Sequence, residues 1–263
     1  MTLEYLKSFK KINYKNYEII LIDDNSNDGT YEIVQKKFPK VVLIKNDNNL
    51  GFSKSNNLGI KKANGKFIIL LNNDVLFPDK DIIKKLIYAF KKYKKVGMIT
   101  CKVMGIDKKL QNHSRIKDTE TEQEFNMGGG PLMFFDSKII KKMKGFDEGF
   151  SPAYYEDLDL SLRLRKKGYK LIYTPKTYFL HKGGKTTKNV SNFYYTSTFK
   201  NGIRFSIIYL DLFYFLKFNF IEFIKSIYRK KLFLYIKAWI INLKEIKNLT
   251  KLRKERKLNI KKI

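Results

Sequence analysis

The stretch Tyr17-Glu18-Ile19-Ile20-Leu21-Ile22, followed at once by Asp23-Asp24-Asn25-Ser26-Asn27-Asp28-Gly29-Thr30, decides the fold. A short apolar run that stops at a polar cluster reads as a buried strand entering a turn, and a helix is expected directly after it. The unit then repeats. Val41 to Ile44 reads as a strand, Ser53 to Lys62 as a helix closed by Asn64-Gly65, and Phe67 to Leu71 as a strand ending in Asn72-Asn73-Asp74. Such alternation predicts an α/β domain, in which ligands bind outside the carboxyl ends of the strands. The polar clusters at those ends are therefore the first candidates for chemistry.

Working outward, residues 3 to 10 read as a short helix. Asp79 to Tyr93 carries Ile82, Ile83, Leu86, Ile87 and Phe90 at helical spacing, and Val96 to Val103 returns to strand character. Asp107 to Phe125 is a polar loop or short-hairpin excursion. Met127-Gly128-Gly129-Gly130-Pro131 leads into an apolar run to Phe135 and a helix ended by Lys144-Gly145; a helix from Glu156 to Lys167 and a strand around Tyr169 to Tyr173 follow. Residues 203 to 228 form a long aromatic and aliphatic segment, punctuated by Arg204, Asp211, Lys217, Glu222 and Lys225, and 232 to 242 add a second apolar helix. The expected division is a catalytic-type domain over 1–201 and a basic, aromatic-rich helical region over 202–263.

The 263 residues carry 54 basic and 25 acidic side chains, a net charge of +29. A basic surface attracts phosphate whatever carries it. Only seven of the basic residues are arginine, however, and base or phosphate readers favour the arginine fork, so no specific nucleic-acid partner is expected. A general lysine bias accounts for part of the charge. From Lys200 onward 17 basic residues face 4 acidic ones, which suits an anionic membrane surface. The charges inside 203–228 argue for a helix lying in the interface rather than spanning. The alternative is a helical pair that packs on the domain or makes a homo-oligomer contact. The charged N-terminal stretch contains no apolar export segment, so a cytoplasmic, peripheral location on the inner membrane face is expected.

One cysteine excludes an intrachain disulfide and a multi-thiolate zinc site, leaving oxygen-rich metal chemistry. Cys101 lies in an apolar strand and reads as core. His113 reads as a surface residue of the polar excursion, and Trp239 as a packing or interfacial residue. Asp24 and its neighbours either cap a turn or reach a ligand. Asn72-Asn73-Asp74 is either a turn or an oxygen site for a hard divalent ion. Asp147, Glu148, Glu156, Asp157 and Asp159 crowd thirteen positions of a lysine-rich chain; capping absorbs one of Glu156 and Asp157, and a pocket carboxylate there is a suitable general base. His181, ending Phe179-Leu180-His181, is a structural residue, a metal ligand or a phosphate donor.

These segments, IDDNSNDGT (22–30), NLGFSKSNNLG (49–59), FIILLNND (67–74), GGGPLMF (128–134), KGFDEGF (144–150), YEDLDL (155–160) and HKGG (181–184), together resemble glycosyltransferase family 2, especially rhamnosyltransferase-like enzymes of cell-surface polysaccharide synthesis. The resemblance implies a GT-A fold with a central, mostly parallel mixed sheet, followed by C-terminal helices. It implies an inverting, Mg²⁺- or Mn²⁺-dependent transfer from a nucleoside-diphosphate sugar to a lipid-linked or polysaccharide acceptor. By the same resemblance Asp24 contacts the nucleotide, Asn49, Gly51, Asn57 and Asn73 shape its pocket, and Asp74 and His181 approach the metal. Asp157 is then the catalytic base and Glu156 its neighbour. Asn72-Asn73 departs from an Asp-containing form and leaves one carboxylate. The family's first buried strand has no counterpart before Leu3 to Phe9, and on that ground a non-catalytic relative acting as a binding or assembly subunit is the competing expectation.

Overall fold

The computed structural model describes residues 2–111, 119–183 and 191–256. His113, Gly184 and the basic stretch 257–263 lie outside them. The chain starts with α1 (Thr2–Phe9), then β1 (Ile20–Asp23), α2 (Thr30–Lys37), β2 (Val42–Lys45), α3 (Phe52–Lys62), β3 (Phe67–Leu71) and β4 (Val75–Leu76). It continues through α4 (Ile82–Lys92), β5 (Val96–Met104), β6 (Gln123–Glu124), β7 (Leu132–Asp136), α5 (Ser137–Lys142), α6 (Glu156–Lys166) and β8 (Lys170–His181). Four helices close it: α7 (Asn192–Tyr209), α8 (Leu212–Tyr228), α9 (Leu232–Lys244) and α10 (Ile246–Arg256).

The main sheet runs β3-β7-β5-β8-β4, with β6 also on β8. It is mixed, as the resemblance implied: β3, β5 and β8 run in one direction, β1 and β2 form a separate parallel ladder, and β7 with the short β4 and β6 runs against its neighbours. β7 is antiparallel because it arrives from a loop, without the helical crossover that a parallel neighbour requires. β8 is longer than the strand expected at Tyr169–Tyr173. It continues past Pro175 to His181 because its register with β5 slips between Cys101 and Lys102, leaving the donor-less proline unpaired.

β1 and β2 form a ladder of their own, and among the described residues no strand joins β1 to β3. Both of those edges line one large cavity. Apolar side chains of α1 and α4, including Leu6, Ile82 and Leu86, cover one face of the sheet, while α3, α5 and α6 cover the other through Ile60, Ile140 and Leu160. A third cluster joins Phe150 and Leu162 to Phe199, Ile203, Tyr235 and Leu249 of the C-terminal helices.

The segment 203–228 is two helices rather than one. Leu210 leaves helical geometry, and the Asp211 carboxylate caps α8 by accepting from Tyr214 N at 3.0 Å. The 201/202 division drawn from composition runs through the middle of α7. Among the described residues no helix is long and apolar enough to cross a membrane.

Candidate functional site

Asp23 and Asp28 are turn residues. Asp23 accepts from Ser26 N and Ser26 Oγ, both at 2.7 Å, and Asp28 accepts from Thr30 N at 3.0 Å ahead of α2. Asp24 turns the other way. Its Oδ1 accepts from Asn46 Nδ2, Leu50 N and Ser55 Oγ, and its Oδ2 from Gly51 N, each at 2.8 Å. Burial pushes its carboxyl pKa up, but these hydrogen bonds outweigh that and hold it below the ordinary value. Asp24 therefore shapes the 46–55 loop and lines the cavity with an ionised group whose Oδ2 retains acceptor capacity.

Gly51 and Asn57 stand behind that wall, whereas Asn49 and Asn73 line it. Gly51 has φ +81, and a Cβ there would lie 2.6 Å from Pro152 Cα, so bare backbone is required for the loop to pack. Asn57 Nδ2 donates to Phe146 O and Glu148 Oε1, and its Oδ1 accepts from Phe146 N. Its amide is thus engaged in tying α3 to the 145–148 loop.

The β4–β8 ladder pairs Val75 with His181, which sets Asp74 beside the imidazole. Asp74 Oδ2 lies 3.1 Å from His181 Nε2, both side chains being about nine-tenths buried. Gln111, which the sequence analysis did not single out, engages the imidazole from behind. Its Nε2 donates to His181 O at 3.1 Å, which turns its Oε1 toward His181 Nδ1 at 3.0 Å. Nδ1 then serves as donor to Gln111 Oε1, and Nε2 faces the Asp74 carboxylate. A shared proton or a metal cation between Nε2 and Oδ2 would satisfy both. Asp74 Oδ1 is buried with no hydrogen-bond partner, as a ligand oxygen awaiting a cation would be. Among the described residues no group of three or more His, Cys, Asp or Glu forms a complete metal cage, so these two side chains fit a hard ion whose remaining ligands come from substrate or water.

The five crowded carboxylates separate by partner. Asp147 and Asp159 are structural. Asp159, fully buried, accepts from Arg163 Nε at 2.7 Å and from Tyr209 Oη and an Arg256 guanidinium nitrogen, both at 2.6 Å. Asp147 meets Arg256 at 2.7 Å and Arg204 at 3.3 Å. Burial pushes the Asp147 carboxyl up, and the two guanidinium charges more than offset it. Glu148 receives Asn57.

Glu156 and Asp157 remain, at the start of α6, and both face the cavity. Tyr154 and Tyr155 immediately before them have φ of 76° and 71°, left-handed backbone that non-glycine residues rarely adopt. The loop is held from α7: Asn201 Nδ2 reaches the carbonyls of Phe150, Ala153 and Tyr154, and Lys200 Nζ donates to those of Gly149 and Ser151. Gly129 packs where a Cβ would lie 2.9 Å from Asp157 Cβ, so the glycine run lets the chain close beside the carboxylate. Burial, and after it the charge of Asp157, pushes Glu156 up to about 8, and its Oε2 has no hydrogen-bond partner. Near neutral pH this burial favours the protonated form of Glu156, a carboxyl able to donate a proton beside the second carboxyl of Asp157.

Asp24, Asn49, Asn73, Asp74, Gln111, Glu156, Asp157 and His181 thus share one cavity of about 2010 Å³. Cys101 is buried core, as its strand implied. Trp239 packs on Phe215 with ring centroids 6.1 Å apart.

Residues 1–149 match the model of Glycosyl transferase family 2. The putative glycosyltransferase EpsE of Bacillus subtilis is 26% identical over 176 residues, covering 64% of this chain and 63% of that protein. A Methanococcus voltae protein, dolichyl N-acetyl-alpha-D-glucosaminyl phosphate 3-beta-D-2,3-diacetamido-2,3-dideoxy-beta-D-glucuronosyltransferase, is 25% identical over 219 residues, covering 74% of this chain and 62% of its own. The chain spans less than two thirds of the length of these relatives. Among solved structures, the mannosyltransferase PcManGT from Pyrobaculum calidifontis, in complex with GDP-Man and Mn²⁺, aligns with a TM-score of 0.57 at 15% identity, covering 77% of this chain and 58% of its own. S. aureus TarS in complex with UDP-GlcNAc gives 0.57 at 21%, covering 77% and 62%. These likenesses show a GT-A fold, and with the family model matching more than half of its residues, the chain belongs to glycosyl transferase family 2.

Proposed function

We propose that the cavity binds a nucleoside-diphosphate sugar with Mg²⁺ or Mn²⁺, and that the chain transfers the sugar, a hexose or deoxyhexose, with inversion to a hydroxyl of a lipid-linked or cell-surface polysaccharide acceptor. The supporting observation is the convergence, in one cavity, of the Asp74–His181 pair with the Glu156–Asp157 pair and Asp24. The nucleotides bound by the two solved relatives, and the lipid-phosphate acceptor in the name of the M. voltae relative, support the same reading. The reaction is assigned to the inner face of the cell membrane, with the C-terminal helices as the membrane-facing part.

In this reading Asp24 and Asn49 receive the nucleoside, with Gly51 and Asn57 holding their loop from behind, and Asn73 faces the diphosphate. Asp74 and His181 hold the cation, which when bound offsets charge on the departing diphosphate. Asp157 accepts the acceptor hydroxyl proton as that oxygen bonds to the anomeric carbon, while the bond from that carbon to the diphosphate oxygen breaks on the opposite face. A single displacement of this kind inverts the anomeric centre. Glu156 keeps its own proton and offers it to an acceptor oxygen.

Calorimetry with GDP-mannose and UDP-GlcNAc, with and without Mn²⁺, tests the reading. Metal-dependent binding of a donor that Asp74→Ala abolishes is expected. Asp157→Asn should still bind the donor but lose transfer to membrane-extract acceptors by about 10²- to 10⁴-fold. A folded chain that binds neither donor, or an Asp157→Asn variant of unchanged rate, overturns it, the former in favour of a binding or assembly subunit.

A further inference from the structure

The α8–α9 hairpin is inside out for a helix pair in water. The buried positions of α8 are Asn219 and Ser226, and those of α9 are Tyr235, Ala238 and Asn242. These small and polar residues lock the hairpin inward: Asn219 Nδ2 donates to Ser206 Oγ at 3.1 Å, Tyr235 Oη to Asn219 O at 2.9 Å, and Asn242 Nδ2 to Lys200 O at 2.9 Å. The bulky apolar side chains point out. Leu212, Phe213, Phe220, Tyr228 and Phe233 are 70%, 68%, 66%, 88% and 76% exposed, and most of the large exposed apolar residues in the described chain lie between Leu212 and Ile246.

A water-facing helix carries its polar residues outward, and a contiguous apolar surface of this kind marks a binding face. Between Leu212 and Lys244 seven Lys and Arg accompany one Glu, and Arg229-Lys230-Lys231 occupy the turn between the helices. Apolar side chains interspersed with cations complement the acyl and headgroup layers of an anionic bilayer, and neither helix is long and apolar enough to span one.

We propose that this hairpin face is a monotopic docking surface for an anionic lipid bilayer, inserting Phe213, Phe220, Tyr228 and Phe233 into the interface while the intervening lysines and arginines meet lipid phosphates. Because α7 carries both the hairpin contacts and the Lys200–Asn201 clamp on the 149–154 loop, the docked face is tied rigidly to Glu156 and Asp157. The placement at a membrane belongs to the reading above, but the docking surface rests on the hairpin alone.

The test is co-sedimentation of the full chain with vesicles of phosphatidylcholine, and of phosphatidylcholine with about one quarter phosphatidylglycerol. Binding to the anionic vesicles should exceed binding to the neutral ones at least about tenfold and weaken in high salt. A Phe213→Ser, Phe220→Ser, Phe233→Ser triple variant should lose about tenfold or more. Tyr228→Ser, at the most exposed large apolar residue of the hairpin, gives a second reading should the triple variant melt early. Absence of vesicle binding, or equal binding by these variants, overturns the proposal. So does a dimer in light scattering that the triple variant dissociates without vesicle binding, which would assign the face to a second copy. Donor binding measured in parallel separates these outcomes from failure of the transferase reading.

Discussion

Asp74 Oδ2 sits 3.1 Å from His181 Nε2 because a two-residue ladder, Val75 to His181 and Leu76 to Leu180, zips β4 against the end of β8. The carboxylate and the imidazole come from distant parts of the chain, and a strand pairing too short to recognise in sequence brings them together.

Gln111 orients that imidazole from behind, so Gln111→Leu should weaken metal-dependent donor binding by about 10- to 100-fold while leaving the fold intact. Titration of Mn²⁺ at fixed donor, read by calorimetry, checks this. Unchanged metal affinity would remove Gln111 from the site.

Glu156 makes stability depend on pH with a definite sign. Its folded pKa is raised above the ordinary 4.5 to about 8, so the folded state binds the proton more tightly than the unfolded chain does. The stability from this group is full below about 4.5 and is lost as pH rises toward about 8. Glu156→Gln removes the ionisation. The melting temperature of the native chain should fall relative to the variant as pH rises from about 5 to 8.5, and parallel curves would refute the shift.

Arg256 is the shared cation of Asp147 and Asp159. Arg256→Ala leaves the buried Asp159 and the partly buried Asp147 each short of a partner and should destabilise by about 3–5 kcal/mol in chemical unfolding. The loss should reach Asp157, since Asp159 and Asp157 lie on the same turn of α6.

Gly51→Ala forces a side chain into left-handed backbone and against Pro152. A cost of about 1–3 kcal/mol from the backbone alone is expected, with the clash in addition. Because Gly51 N and Leu50 N both hydrogen-bond Asp24, donor binding should weaken together with thermal stability.

Much of this was readable from residue patterns. Strands β1, β2 and β3 and helices α3, α4 and α6 have periodic apolar faces and turn signals at their ends, and local physics suffices for those. The pairing that extends β8 past Pro175 was not readable, because a proline inside a strand is tolerated only where a register slip frees it from the ladder, and a slip is a property of two strands.

The candidate site divides in the same way. Composition and order alone placed Asp24, Asp74, Glu156, Asp157 and His181 at element ends in an α/β chain, since polar clusters after apolar runs are local facts. Which of five neighbouring carboxylates are bound up in structural ion pairs was decided only in three dimensions, by Arg204 and Arg256 arriving from C-terminal helices to pair with Asp147 and Asp159. The aromatic C-terminal segment likewise announced helices in sequence. That Asn219, Ser226 and Asn242 face inward while the phenylalanines face out is a matter of packing, because burial belongs to neighbours in space and not to neighbours in the chain.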